Sequence, residues 1–265
     1  MEVIDLQWWK LALAAVMILL LAVFSHLARL GITRSLLVSA LRTVVQLSLI
    51  GLVLEALFAS AGLFWVGLMA LIMLLVAGRE VMARQQRRLT GGWTWGIGTG
   101  AMFLSSFTVT VLTLTVVIGP APWYAPQYAI PLLGMMLGNT MTGVALSLDR
   151  LTESFWRQRA VIENRLMLGE TWRQAVADIR KDAMRGGMMP SINAMAAAGI
   201  VSLPGMMTGQ ILAGSPPSVA VKYQILIMLT ITVGTGFGAL MAVAWGSRRL
   251  FDDRERLRLD RLSGS

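Results

Sequence analysis

Three Gly-Met-Met triplets, at 134–136, 187–189 and 205–207, are the groups in this sequence best suited to hold a soft ligand. A thioether sulfur is a neutral, polarisable donor that favours Cu(I) and holds harder ions weakly. Met135, Met136, Met206 and Met207 are therefore metal-ligand candidates. The simpler role is packing, because methionine fills irregular gaps and glycine lets helix backbones approach. Packing is the preferred reading. The chain offers little else for metal chemistry, with no cysteine and one histidine, His26, read as interfacial. No paired acids, Ser-His set or metal cluster appears, which argues against an enzyme.

A second group of candidates consists of polar side chains inside apolar stretches. Such residues mark a transport pathway, a buried contact or a membrane interface. Arg42 and Gln46 share a helical face, and Glu55 lies about 220° around from Arg42 at 3.6 residues per turn, so they do not pair within one helix. Arg42 either snorkels to an interface or serves inside the bundle, and Glu55 is read first as interfacial. Asn139, Asn193 and Gln210 are uncharged pathway candidates expected to face the interior. Ser106, Thr110 and Thr113 form a stripe expected to bond across helices.

These residues are carried by a strongly apolar chain. Of 265 residues, 56% are hydrophobic and 14% charged, and the mean hydropathy is +0.67. No Asp, Glu, Lys or Arg occurs between Arg88 and Asp149, or between Arg185 and Lys222. Runs of that length exceed the roughly 20 apolar residues that span a bilayer. The continuous apolar stretches exclude the alternation of a β-barrel. The expectation is an all-α, polytopic bundle forming a single transmembrane domain over 1–265. Seven spans are read at 9–28, 36–58, 62–78, 94–118, 128–148, 191–213 and 219–246, with Pro190 opening the sixth. Glu2 and Asp5 replace the basic start of a secretory signal, so the first span is expected to be retained.

Lys and Arg in short loops set orientation. Segments 29–35, 79–93, 149–190 and the tail after Ser247 hold 20 of the 23 basic residues. They are assigned to the cytoplasm, with the N-terminus outside and the C-terminus inside. The pI of 11.1 then reflects topology and contact with membrane lipid, and nucleic acid is not an expected partner. Segment 149–190 reads as two amphipathic helices broken at 168–171, with Thr171 and Gln174 matching a capping box. Residues 247–265 read as a basic cytoplasmic tail.

The break lies in "ENRLMLGET" (163–171), which resembles the cytoplasmic coupling motif of ABC-transporter permeases at Glu163, Leu168, Gly169 and Thr171. Asn164 and Arg165 replace the two alanines usual after the glutamate. "RTVVQL" (42–47), "AGREV" (77–81), "IPLLGMMLGNTMTG" (130–143), "SLPGMMTGQILAG" (202–214) and "VKYQI" (221–225) extend the likeness. Together they resemble the FetB-type permease family, over about residues 35–245. The resemblance implies the membrane subunit of an iron-exporting ABC transporter in the bacterial cytoplasmic (inner) membrane. Plant relatives in that family are linked to aluminium tolerance.

It further implies a homodimer working with two copies of a separate ABC ATPase, which would bring ATP and Mg²⁺. This chain is expected to bind no cofactor itself. A Walker A loop needs Gly-Lys-Ser/Thr, and none of Lys10, Lys181 and Lys222 follows glycine. "GTGFG" (234–238) lies in an uncharged span, so Gly234 with Gly238, like Gly96 with Gly100, reads as helix packing. The alternative function is an ion-coupled secondary transporter without an ATPase.

The charge distribution makes a direct prediction on this cysteine-free background. Pro122→Cys should react with an impermeant thiol reagent from outside the cell, and Thr171→Cys should not. Inverted labelling would overturn the assigned orientation.

Overall fold

A computed structural model describes residues 7–60 and 62–263, so Glu2 and Asp5 lie outside the described residues. Apolar runs become helices because a backbone in hydrocarbon must satisfy its own polar groups. In chain order the helices are α1 (Trp8–Leu27), α2 (Thr33–Ser60), α3 (Leu63–Ala83), α4 (Trp93–Ile118), α5 (Pro126–Arg157) and α6 (Arg159–Met167). The short α7 (Trp172–Ala175) follows, then α8 (Ala177–Ala197), α9 (Gly205–Leu212) and α10 (Pro217–Arg249). Two short strands, β1 (Arg88–Leu89) and β2 (Leu262–Ser263), pair antiparallel.

Six of these helices are long and apolar enough to cross a membrane: α1 to α5 and α10. The chain is a multi-pass membrane protein. The continuous sixth helix expected over 191–213 does not form. Helix α8 ends at Ala197, and residues 198–204 turn back on themselves before α9 begins. Gly199 takes a φ of 84°, where a side chain would be strained. Pro204 restrains the residue before it from helical geometry. The N–H groups of Val201 and Ser202 both reach the Ala197 carbonyl, closing the turn locally. Pro190 does not open a helix either; it lies inside α8. A proline there forfeits one backbone hydrogen bond, which neighbouring helices in a membrane bundle compensate.

Helices α5 and α10 run 32 and 33 residues, or roughly 50 Å at the helical rise. That exceeds a hydrocarbon core of about 30 Å, so both extend beyond it. Their extra turns stay helical because Leu148, Leu151 and Phe155 on α5, with Val243 on α10, are fully buried in one core with Ile162 and Val176. A second core, containing Leu114, Ile130, Met136 and Ile227, lies farther along the same helices.

Glycines set how closely α5, α8 and α10 approach. A Cβ on Gly187 of α8 would collide with the Ser147 hydroxyl and the Gly143 carbonyl on α5. One on Gly143 would meet the Thr235 methyl of α10 and lie 3.0 Å from the Gly187 carbonyl. Gly234 abuts Met136, and Gly238 abuts Thr140 and Ser105, so the packing expected of that glycine pair is observed. Gly100 sits under Trp245, whereas Gly96 faces open space and does not join it.

Two π-helical stretches, Phe103–Phe107 and Thr113–Ile118, interrupt α4. The stripe of Ser106, Thr110 and Thr113 is buried, as its spacing suggests. The expected cross-helix bonds are absent among the described residues. Thr113 donates back to the Val109 carbonyl at 2.8 Å, and the Ser106 and Thr110 hydroxyls have no partner.

The contacts at two of the triplet glycines predict opposite outcomes. Gly187→Val overpacks the α5/α8 crossing and should cost about 1–3 kcal/mol. Gly205→Ala should be nearly neutral, because nothing lies within 4 Å of the new carbon. Thermal unfolding of the detergent-solubilised protein reads both. Equal destabilisation would contradict the packing described.

Candidate transport site

Helix α10 presents Gln224, Ile227, Met228, Ile231 and Thr232 at spacings of three, four, seven and eight, which is one helical face. Opposite it, α5 contributes Met135 and Asn139, one turn apart, and α8 contributes Ser191. The broken helix completes the wall with Pro204, Gly205 and Met206. These residues enclose a cavity of about 210 Å³. The break matters here, because it places the start of α9 in the cavity wall.

The cavity is uncharged but not apolar. Gln224 is only 7% exposed, and its carbonyl oxygen has no hydrogen-bond partner among the described residues. A buried amide oxygen left unpaired costs on the order of 1–3 kcal/mol. Asn139 donates Nδ2 to the Met135 carbonyl at 2.8 Å, and Thr232 donates to the Met228 carbonyl at 2.9 Å. The available donors are thus thioethers, amide oxygens and hydroxyls. Among the described residues no group of three His, Cys, Asp or Glu could hold a metal ion. An ion in this cavity would be held weakly, which permits release as well as capture.

The methionine pairs divide between the two roles weighed from sequence. Met135 and Met206 line the cavity. Met136 is fully buried and pressed against Gly234, so its role is packing. Met207 is buried at 8% exposure outside the cavity wall. Of the amide candidates only Asn139 reaches the site. Asn193 is exposed on α8, and Gln210 lies on α9 with a buried, unpartnered carbonyl oxygen. Gln224, Ser191, Met228 and Thr232 were not singled out by sequence reasoning. Gln224 stands two residues after Lys222, which disguises it as the edge of a span.

Arg42 has a partner on another helix. Its guanidinium lies 2.6 Å from the Glu80 carboxylate of α3, with the two side chains 47% and 25% exposed. The pair ties α2 to α3. Gln46 and Glu55 are exposed on α2 and touch no part of the cavity.

At the basic end of the bundle, the break between α6 and α7 falls at 168–171. Gly169 has a φ of 91°, and Thr171 and Gln174 form the capping box. Leu168 is 85% exposed and Met167 77%, with Glu163 exposed on the preceding helix. The segment is tied back to the bundle through residues 250–263, which fold against it.

Phe251 is buried between Phe155 and Trp172, with ring centroids 5.9 and 5.4 Å away. Glu255 accepts the Trp172 backbone N–H at 3.0 Å, and Leu262 packs in the core where β2 pairs with β1. Three of the tail's arginines, Arg248, Arg256 and Arg258, pair with the nearby Asp253, Asp252 and Asp260. The Arg256 N–H, helped by its guanidinium, holds the Asp252 carboxyl below the usual carboxylate range. A lowered carboxylate pKa stabilises this hairpin above the ordinary carboxylate pKa and is lost only in acid.

Comparison with known proteins places the chain in a family. Residues 8–251 match the family described as "Uncharacterised protein family (UPF0014)". A UPF0014 membrane protein of Synechocystis is 37% identical over 260 residues, covering 96% of this chain and 97% of that one. The "Probable iron export permease protein FetB" of Escherichia coli is 30% identical over 253 residues, covering 94% and 93%. The "Protein ALUMINUM SENSITIVE 3" of Arabidopsis thaliana is 32% identical over 219 residues, covering 83% and 78%. No solved structure matches the chain. On this match and these identities, the chain belongs to the UPF0014 family of membrane proteins.

Proposed function

We propose that the chain is the permease subunit of an ABC transporter that exports metal ions, with iron the first candidate. The observation that carries this reading is the exposed turn at Met167, Leu168 and Gly169, joined through Trp172 and Phe251 to the end of α10. The same helix lines the cavity with Gln224, Ile227 and Met228. A partner pressing on the turn therefore acts on a lever that reaches the cargo cavity. The printed name of the FetB relative, a probable iron export permease, supports the choice of cargo.

The partner is a cytoplasmic ABC ATPase in two copies, which supplies ATP and Mg²⁺. A second copy of this chain covers α2, whose apolar span has none of its residues buried and carries the exposed Gln46. Polar side chains at that depth are stable when turned toward protein or water. Helices α8 and α9 together make the remaining crossing. Met188 packs against Gly236 of α10, while Met206, beyond the break, faces the earlier turns around Gln224. The seven crossings then put the N-terminus outside and the basic end in the cytoplasm. ATP-driven closure rocks α5, α8 and α10 about their glycine contacts and alternates access to the cavity.

A broken helix flanking a cavity is also the architecture of ion-coupled secondary transporters, and that observation keeps the second reading in play. The coupling turn separates the two. Gly169→Trp should leave the permease in the membrane but abolish co-purification of a co-expressed partner ATPase. Retained ATPase and unchanged ATP turnover would contradict the docking role.

The cavity makes its own prediction. Met135→Leu with Met206→Leu preserves volume and apolarity, and should lower metal efflux at least tenfold at matched protein levels. Met136→Leu should keep efflux and cost less than about 1.5 kcal/mol. Equal efflux in both variants would return all the methionines to packing.

A further inference from the structure

A second, larger cavity of about 700 Å³ lies where the start of α4 meets the end of α10 and the C-terminal hairpin. Trp93 and Trp245 wall it, and Arg248, Arg249 and Arg261 line it with Asp252 and Asp253. It shares no residue with the transport cavity. We propose that it binds the phosphate headgroup of an anionic phospholipid.

The three arginines exceed the two aspartates that line the cavity. Arg248 spends its charge on Asp253 at 3.1 Å, and the nearby Asp252 is taken by Arg256 at 2.8 Å. Arg249 and Arg261 form no ion pair among the described residues, and Asp260, the acid that Arg261 feels, is already paired with Arg258 at 2.8 Å. The Arg249 guanidinium carbon stands 4.3 Å from the centroid of Trp93, which fixes its plane without neutralising it. Arg261 donates one nitrogen to the carbonyls of Arg249 and Phe251, at 2.7 and 3.2 Å. Those bonds orient the guanidinium and leave its other donors for an anion. Two guanidiniums held by neutral groups around one cavity make a site for a phosphodiester, whose oxygens match their forked donors.

Position selects a lipid over a soluble phosphate ester. Trp93 opens one span and Arg249 ends another, so the cavity lies at the level where tryptophans anchor helices to the headgroup region. Trp93 is 48% exposed and Trp245 40%, leaving apolar ring surface beside the charges. Glycerol and the first acyl carbons would lie on those rings, and the volume exceeds what a phosphate alone would fill. A lipid seated there touches α4, α10 and the hairpin together.

The test is native mass spectrometry of the full chain purified in detergent with phosphatidylglycerol or phosphatidylcholine. The wild type should retain one phosphatidylglycerol and no phosphatidylcholine. Arg249→Gln should reduce that retention about tenfold, while Arg254→Gln, on the exposed tail, should not change it. Trp245→Leu removes a wall without altering charge and should also lower retention, which keeps the test intact if Arg249→Gln misfolds. Equal losses from Arg249→Gln and Arg254→Gln would show diffuse surface attraction and overturn the site. Displacement of the lipid by millimolar glycerol phosphate would assign the site to a soluble phosphate ester and overturn it as well.

Discussion

The close approach of α5 and α8 at Gly143 and Gly187, with Thr235 of α10 against the same point, is the constraint on which this architecture rests. Lipid tails are as apolar as leucine, so helices in a bilayer gain little by hiding apolar surface from them. Association comes from dispersion contacts and from backbones brought near enough to make them. Every side chain larger than hydrogen at Gly187 would separate α5 from α8. Such a shift would open the seam on one side and distort the cavity on the other, because Asn139, Ser191 and Gln224 belong to the three helices that meet there.

That crossing also explains why a weak site is useful. The break at 198–204 puts backbone and an uncapped helix start beside Gln224 without placing a charge in the membrane. Carboxylates would bind a hard metal tightly and pay a large desolvation cost when empty. Amides and thioethers hold less and release more readily. In this account the tight, charge-dependent contacts lie elsewhere, at Arg42 with Glu80 and in the Arg-rich hairpin around Asp252. On the proposed reading, the chain separates what holds the structure from what touches the cargo.

Much of the fold was legible because membrane spans are written in composition. Charge-free runs marked α4, α5 and α10, and a local motif marked the break at Gly169 with its capping box. The sixth span misled because hydropathy averages over Gly199 and Pro204, whose effect is on backbone angles rather than on polarity. The candidate site was half legible. Met135 and Met136 are chemically identical and adjacent, and about 100° of helical rotation separates a cavity wall from a packed interior. Only the neighbouring helices decide which is which. The hairpin was illegible for a similar reason: Phe251 and Leu262 are buried among arginines that pair with nearby acids, so the average looks like a solvated tail.

The central claim is that cargo movement through this chain is powered by a separate ATPase acting through the turn at Gly169. Its most direct test is metal accumulation in inverted membrane vesicles containing the chain, with and without its ATPase, in the presence of ATP and an uncoupler. The account predicts accumulation that requires both ATPase and ATP and survives collapse of the ion gradients. Accumulation that proceeds without the ATPase and disappears with the gradients would contradict it.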